Sequence, residues 1–248
     1  MQHNNSAKLA AFDIDGTLST GVLSLALLEE LVKRGLFSGQ VLRFLQGIEN
    51  DYAQGKLGRE EMSELWLQTY LKEMTGKDSE QYVLAAQKVW ETAKANTFSF
   101  VKPLLNELNN SGFTTLVISA SPKEIVSCFC QDNYFSAERF RATSVKVDEL
   151  GKYSGEAEIV LSLAKHKLEQ LNDLVEKLYP EKQIDWENSL AMGDSFSDVE
   201  MLRAMGKPIV MKEANRTEND LVRIAKEKGW TVVDENNALE KITALIAE

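Results

Sequence analysis

The chain has 248 residues, 44% hydrophobic and 27% charged, with no evident repeat or low-complexity tract, so it can bury a full core in one large domain or in a core carrying a smaller unit. Its net charge of −10 argues against a nucleic-acid or anionic-membrane partner, because both depend on clustered Lys and Arg. No stretch joins a basic leader to a long apolar run, so neither a signal peptide nor a membrane span is expected.

Lys8 to Phe12 is a short apolar run that stops at the acidic turn Asp13-Ile14-Asp15-Gly16-Thr17, as a buried strand delivering polar groups at its end would do. The following stretch, residues 21–96, is helical in pattern. Leu27, Leu28, Leu31 and Val32 share one helical face before Gly35, and Val41 to Tyr52 repeats the pattern. Arg59 to Met74 and Ser79 to Ala95 add two more helices, so a small helical bundle inserted after the first strand is expected as a separate cap. Its aromatic residues, Phe44, Tyr52, Trp66, Tyr70, Tyr82 and Trp90, could line a pocket, but at helical spacing they read chiefly as the bundle's own core.

Beyond the bundle, strand-like runs occur at Thr114 to Ser119, Arg141 to Val147, Ser189 to Met192, Pro208 to Met211 and Thr231 to Val233, with helical patterns between several of them. This alternation predicts an α/β, Rossmann-like, doubly wound parallel sheet covered on both faces, built from residues 1–20 and 97–248. Cys128 and Cys130, two apart in a helical stretch, point in different directions. They read as small buried hydrophobes in a chain suited to a reducing cytoplasm.

Two turns carry carboxylates where strands end, the edge at which open parallel sheets bind ligands. In Asp13-x-Asp15 the two acids point the same way, so one can attack while the other handles a proton; an acidic turn that merely ends a strand would look the same. Gly193-Asp194-Ser195-Phe196-Ser197-Asp198 follows the run Ser189 to Met192, and an acidic helix cap is its plainer reading. Carboxylates gathered from separate strand ends call for a cation, and hard oxygen donors select magnesium. Ser119-Ala120-Ser121-Pro122 ends a third strand before a helix, where a hydroxyl and free amides suit a phosphate, although Ser there also serves as a simple cap.

In this order the motifs resemble the haloacid dehalogenase superfamily, specifically its subfamily IB phosphatases with a C1-type helical cap, which are similar to phosphoserine phosphatase. Phe12-Asp13-Ile14-Asp15-Gly16-Thr17-Leu18, Ser119, a lysine near 165 and Gly193-Asp194-Ser195-x-x-Asp198 carry the likeness, with Gly151-Lys152-Tyr153-Ser154-Gly155 and Gly206-Lys207-Pro208 also matching the subgroup. The resemblance implies that Asp13 attacks phosphorus, forming an aspartyl-phosphate, while Asp15 acts as acid and then base. It implies magnesium held by Asp13, the backbone carbonyl of Asp15 and Asp194, supported by Gly193, Ser195 and Asp198, and phosphate held by Ser119, Ala120 and a lysine. Lys167 is preferred to Lys165 because the family's lysine commonly stands four residues before an apolar helix position, here Leu171. On a helix the two lysines point roughly opposite ways.

His166 reads as a helix-surface residue, and His3 has no role. The segment Leu18 to Ser24 lacks the acid with which phosphoserine phosphatases bind the substrate ammonium, and Glu29 and Glu30 are expected to be exposed. Phosphoserine is therefore one candidate among small phosphorylated metabolites, beside histidinol phosphate and phosphorylated head-group alcohols. A non-catalytic phosphate-binding or regulatory protein and a phosphomutase are the alternatives, with a protein phosphatase ranked last because a cap encloses small ligands. Cap hinges are expected at Ser19 to Gly21 and Asn96 to Phe100.

Overall fold

The computed structural model describes residues 6–212 and 219–247; His3 lies outside them. In chain order the elements are β1 (Lys8–Phe12), α1 (Leu23–Lys33), α2 (Gly39–Ala53), α3 (Arg59–Met74), α4 (Ser79–Ala93), α5 (Val101–Asn110), β2 (Phe113–Pro122), α6 (Lys123–Asp132), β3 (Phe140–Val147) and β4 (Tyr153–Ile159). Then come α7 (Ala164–Leu178), β5 (Leu190–Gly193), α8 (Val199–Arg203), β6 (Lys207–Met211), α9 (Asp220–Lys228), β7 (Thr231–Val233) and α10 (Ala238–Ala247).

The strands form one sheet in the order β4-β3-β2-β1-β5-β6-β7. β1 lies inside it, parallel to β2 on one side and β5 on the other. Side chains alternate across the sheet, so Ala10 and Phe12 enter one core with Leu104 and Leu108 of α5 and Ile242 of α10. Leu9 and Ala11 enter the opposite core with Leu171 of α7, Leu202 of α8 and Leu221 of α9. Both faces of the sheet are thus covered, which is the doubly wound arrangement expected.

The sheet is not wholly parallel. The strand-like runs in the sequence number six; the structure adds β4, antiparallel to β3 at the sheet edge. β4 escapes a search for apolar runs because only one of its faces is covered, and Glu156 and Glu158 occupy the other. They bind across to β3: Lys146 Nζ donates to Glu156 Oε2 at 2.9 Å, and Ser144 Oγ to Glu158 Oε2 at 2.9 Å.

The helices α1 to α4 all lie between β1 and α5, yet they do not pack as a unit apart from the sheet. Leu27 and Leu31 of α1 and Tyr82, Ala86 and Trp90 of α4 belong to the same apolar cluster as Phe12 of β1 and Phe129 of α6. Trp90 meets Phe129 edge to face at 5.7 Å between centroids. The aromatic residues of this insertion therefore divide: Tyr70, Tyr82 and Trp90 are buried, whereas Phe44 is 56% exposed and Tyr52 receives the Arg59 guanidinium at 5.1 Å. No helix among the described residues is long and apolar enough to cross a membrane. Both cysteines lie free in α6.

Candidate active site

The backbone leaves β1 through a tight turn in which Thr17, Leu18 and Ser19 amides all donate to the Ile14 carbonyl. Gly16 has φ of +77°, in the left-handed region, and a Cβ there would also collide with the Asp194 carboxylate. Glycine is therefore required twice over, for the turn and for the close approach of the β1 and β5 loops. At the end of β5, a Cβ on Gly193 would collide with Asp198. The first approach lets the β1 and β5 loops close on each other, and the second lets Asp198 fold back on the start of its own loop.

Asp13, Asp194 and Asp198 each offer a carboxylate oxygen within 4.8 Å of the others. Lys167, on α7 and 1% exposed, sits beside them: its Nζ lies 2.9 Å from Asp13 Oδ1 and 2.6 Å from Asp198 Oδ1. Leu171, one turn on, is buried on the same side, while Lys165 points to solvent. Both Asp198 oxygens are engaged, because Oδ2 accepts from the Ser195 amide at 3.0 Å and from its hydroxyl at 3.1 Å. Thr17 Oγ1 lies 3.4 Å from Asp194 Oδ1, and Asn219 Nδ2 donates to the Asp194 carbonyl at 2.8 Å.

Asp15 turns away from this cluster. Its Oδ1 accepts from the Leu23 amide at 2.7 Å and its Oδ2 from Ser121 Oγ at 2.6 Å. The Ser121 hydroxyl accepts in turn from the Ser24 amide, so the end of β2, the start of α1 and Asp15 form one network. Ser119 is fully buried and its Oγ accepts from the Ser121 amide at 3.2 Å; Ala120 and Ser121, not Ser119, line the cavity above the acids.

Burial drives the electrostatics. It pushes the Asp13 carboxyl well up, opposed by the Lys167 charge and reinforced by Asp198, Asp194 and Asp15. Burial and the neighbouring Asp198 push Asp194 up to about 7, and burial also raises Asp15 against its Ser121 hydrogen bond. Burial would lower Lys167, but Asp13 and Asp198 overcome it and hold the ammonium charged. Three clustered carboxylates against one ammonium leave a surplus of negative charge among oxygen donors, a set that fits a hard divalent cation.

A cavity of about 320 Å³ opens over Asp13, Asp15, Lys167 and Asp194. Its far wall comes from the insertion, where Glu49 of α2 and Trp66 of α3 face it. Glu49 has no marker in the sequence, being an ordinary helical residue until α2 and α3 fold over the sheet edge, whereas Trp66 is one of the insertion's aromatic residues able to line a pocket. Ser121 and Thr17, by contrast, stand inside the motif phrases. His166 is half-buried rather than a surface residue, its Nδ1 buried without a hydrogen-bond partner among the described residues. Glu29 is exposed, and Glu30 pairs with Arg34 on α1.

Strand-end acids in two loops, a buried lysine between them and a helical insertion after β1 define a hydrolase of the α/β class. The chain belongs to the haloacid dehalogenase-like hydrolase family, whose model matches residues 10–203. It is 22% identical over 234 residues to the "Inhibition of morphological differentiation protein" of Streptomyces azureus, covering 94% of this chain and 80% of that one. Among solved structures, a protein with unknown function from Bordetella pertussis Tohama I shares the fold with a TM-score of 0.76 at 18% identity, covering 93% of this chain and 99% of that one. A phosphoserine phosphatase solved as an analogue of its phospho-aspartyl intermediate gives 0.64 at 21% identity, with 97% and 99% covered.

Proposed function

We propose that the protein is a magnesium-dependent phosphatase that hydrolyses a small phosphomonoester through an aspartyl-phosphate on Asp13. The observation that carries this reading is the placement of Lys167 Nζ between Asp13 and Asp198, beneath a cavity whose floor also holds Asp15 and Asp194. The ammonium holds Asp13 Oδ1 in one orientation and leaves Oδ2 as the nucleophile. Oδ2 forms a bond to phosphorus as the ester P–O bond breaks, and Asp15 gives its proton to the departing oxygen. Burial, which raises the Asp15 carboxyl, keeps that proton available.

Asp15, now a carboxylate, takes a proton from water as the water oxygen attacks phosphorus. The P–O bond to Asp13 breaks, and inorganic phosphate leaves with the Asp13 carboxylate restored. Ser121 and the Leu23 amide hold Asp15 in place through both steps. Ser119, buried behind the cavity wall, accepts from the Ser121 amide and so holds the end of β2, where Ala120 and the amides at the start of α6 meet a phosphate oxygen. Asp13, Asp194 and the Asp15 carbonyl would hold magnesium, which when bound offsets the repulsion between an anionic nucleophile and an anionic ester. Asp198 and Ser195 support the site by fixing Lys167 and the β5 loop.

Phosphate release from a panel of small phosphomonoesters tests the reading. Turnover should require magnesium, stop with EDTA, and fall by roughly a thousandfold or more in Asp13→Asn. Tight phosphate binding without turnover on any ester would instead indicate a binding or regulatory protein.

A further inference from the structure

The cavity has two chemically unlike ends. One is the acidic floor; the other, built by the insertion and Val22, presents Glu49, Met62, Trp66 and Leu67. Trp66 Nε1 donates to Glu49 Oε1 at 3.1 Å, and its indole stacks on Tyr70 with centroids 5.2 Å apart, so the pair is held from both sides. Partial burial raises the Glu49 carboxyl and the Trp66 hydrogen bond opposes that rise; no cationic side chain contributes. Among the described residues lining the cavity, Lys167 is the one cation, and it is already paired with Asp13 and Asp198. Arg59 lies outside the cavity, its guanidinium 4.8 Å from the Phe196 ring centroid and 5.1 Å from that of Tyr52.

Resting on the phosphatase reading above, we propose that the alcohol part of the substrate carries an organic cation, an ammonium or quaternary ammonium, received by the Glu49 carboxylate and the Trp66 indole, and carries no carboxylate. A cation there meets an unpaired anion and an aromatic face, two attractions that do not compete for the same side of it. A carboxylate on the same alcohol would meet Glu49 with no basic side chain in the cavity to receive it, so the wall selects by repulsion as well as attraction. The apolar groups of Val22, Met62 and Leu67 suit a short carbon chain between phosphate and cation. Phosphoserine, which carries both an ammonium and a carboxylate, fits this wall less well than an amino-alcohol phosphate.

The test compares O-phosphoethanolamine and phosphocholine with ethyl phosphate and O-phospho-L-serine, using native protein and Glu49→Gln with magnesium. Native kcat/KM should favour the cationic esters over ethyl phosphate by roughly tenfold, the scale of one exposed ion pair plus one cation–π contact. Glu49→Gln should cut that ratio to the roughly two- to fivefold that the Trp66 indole alone supplies. The same four esters are titrated calorimetrically into Asp13→Asn protein, which reads the wall without any chemistry. Equal binding of ethyl phosphate and phosphoethanolamine, tightest binding of phosphoserine, or a ratio unmoved by Glu49→Gln overturns the proposal even if hydrolysis is robust. Absence of hydrolysis with preserved cation preference in binding would overturn the phosphatase reading and leave this one standing.

Discussion

At the scale of single residues, Lys167 decides how the acids can coexist. Three carboxylates lie together, Asp13 and Asp198 buried and Asp194 half-buried, and one ammonium within 3 Å of two of them supplies the only direct ion pairs the cluster has among the described residues. Removing one partner of a buried pair leaves the other charge without compensation. Lys167→Ala should therefore cost about 3–5 kcal/mol of unfolding free energy together with activity. Lys165→Ala, at an exposed site two residues away, should stay within about 0.5 kcal/mol. Urea unfolding of the two variants measures the difference, and equal costs would deny the Lys167 pairs this weight. Helical phase separates the two lysines, which is why one can be buried and its near neighbour solvated.

At the scale of elements, the helical insertion is tied to the sheet at both ends. Where the chain crosses between them, the Thr20 amide donates to Asn96 O and the Phe98 amide to Leu18 O. At the opposite end the loop between α3 and α4 meets the β3–β4 turn: the Gly76 amide donates to Tyr153 O, the Tyr153 amide to Lys77 O and the Ser79 amide to Gly151 O. Lys152 Nζ adds a 2.9 Å contact to Asp78 Oδ2. A rigid swing of the whole insertion about Ser19 to Gly21 and Asn96 to Phe100 would have to break this second set. Among the described residues the α2–α3 hairpin makes no such backbone hydrogen bond along its length, only the Arg59 guanidinium reaching the Phe196 ring, and it carries Glu49 and Trp66. Hydrogen exchange with and without a phosphate-mimicking anion should therefore change in α2 and α3 while α4 and the Gly76–Ser79 loop stay constant. A uniform change across α1 to α4 would restore the swinging-lid view.

At the scale of the whole molecule, the site is a place where the fold tolerates unfavourable charge. Asp194 stands near 7 in the folded chain against an ordinary value of 3.8, and Asp13 is raised too, chiefly by burial. Between those pH values the folded state keeps a proton that the unfolded state has lost, so stability falls as pH rises from about 4 to 7. A divalent cation bound to the ionised acids should reverse that loss. The magnesium-induced rise in Tm should therefore be larger at pH 8 than at pH 5, where protons compete for the same oxygens. Equal shifts at both pH values would mean that magnesium stabilises the chain elsewhere.

Much of this was legible in one dimension. β1 and β5 announce themselves because each is a short apolar run ending in acids and glycine, and the two motifs are local in the chain. Four helices between β1 and the next strand follow from their own periodicity. β4 was not legible, because an edge strand buries one face only and its glutamates mask the alternation. Nor was the continuity of the insertion's core with the sheet, which depends on Trp90 and Tyr82 reaching α6 and β4.

The sequence by itself determined the class of fold and the acids at its strand ends, because strand termination, helical period and turn chemistry are short-range properties carried by neighbouring residues. Only the tertiary structure decided how those acids share Lys167, that Ser121 and not Ser119 faces the cavity, and that Glu49 and Trp66 form its far wall. Those depend on contacts between residues 17 to 154 positions apart, set by how helices pack over a sheet edge, and no local pattern encodes that packing.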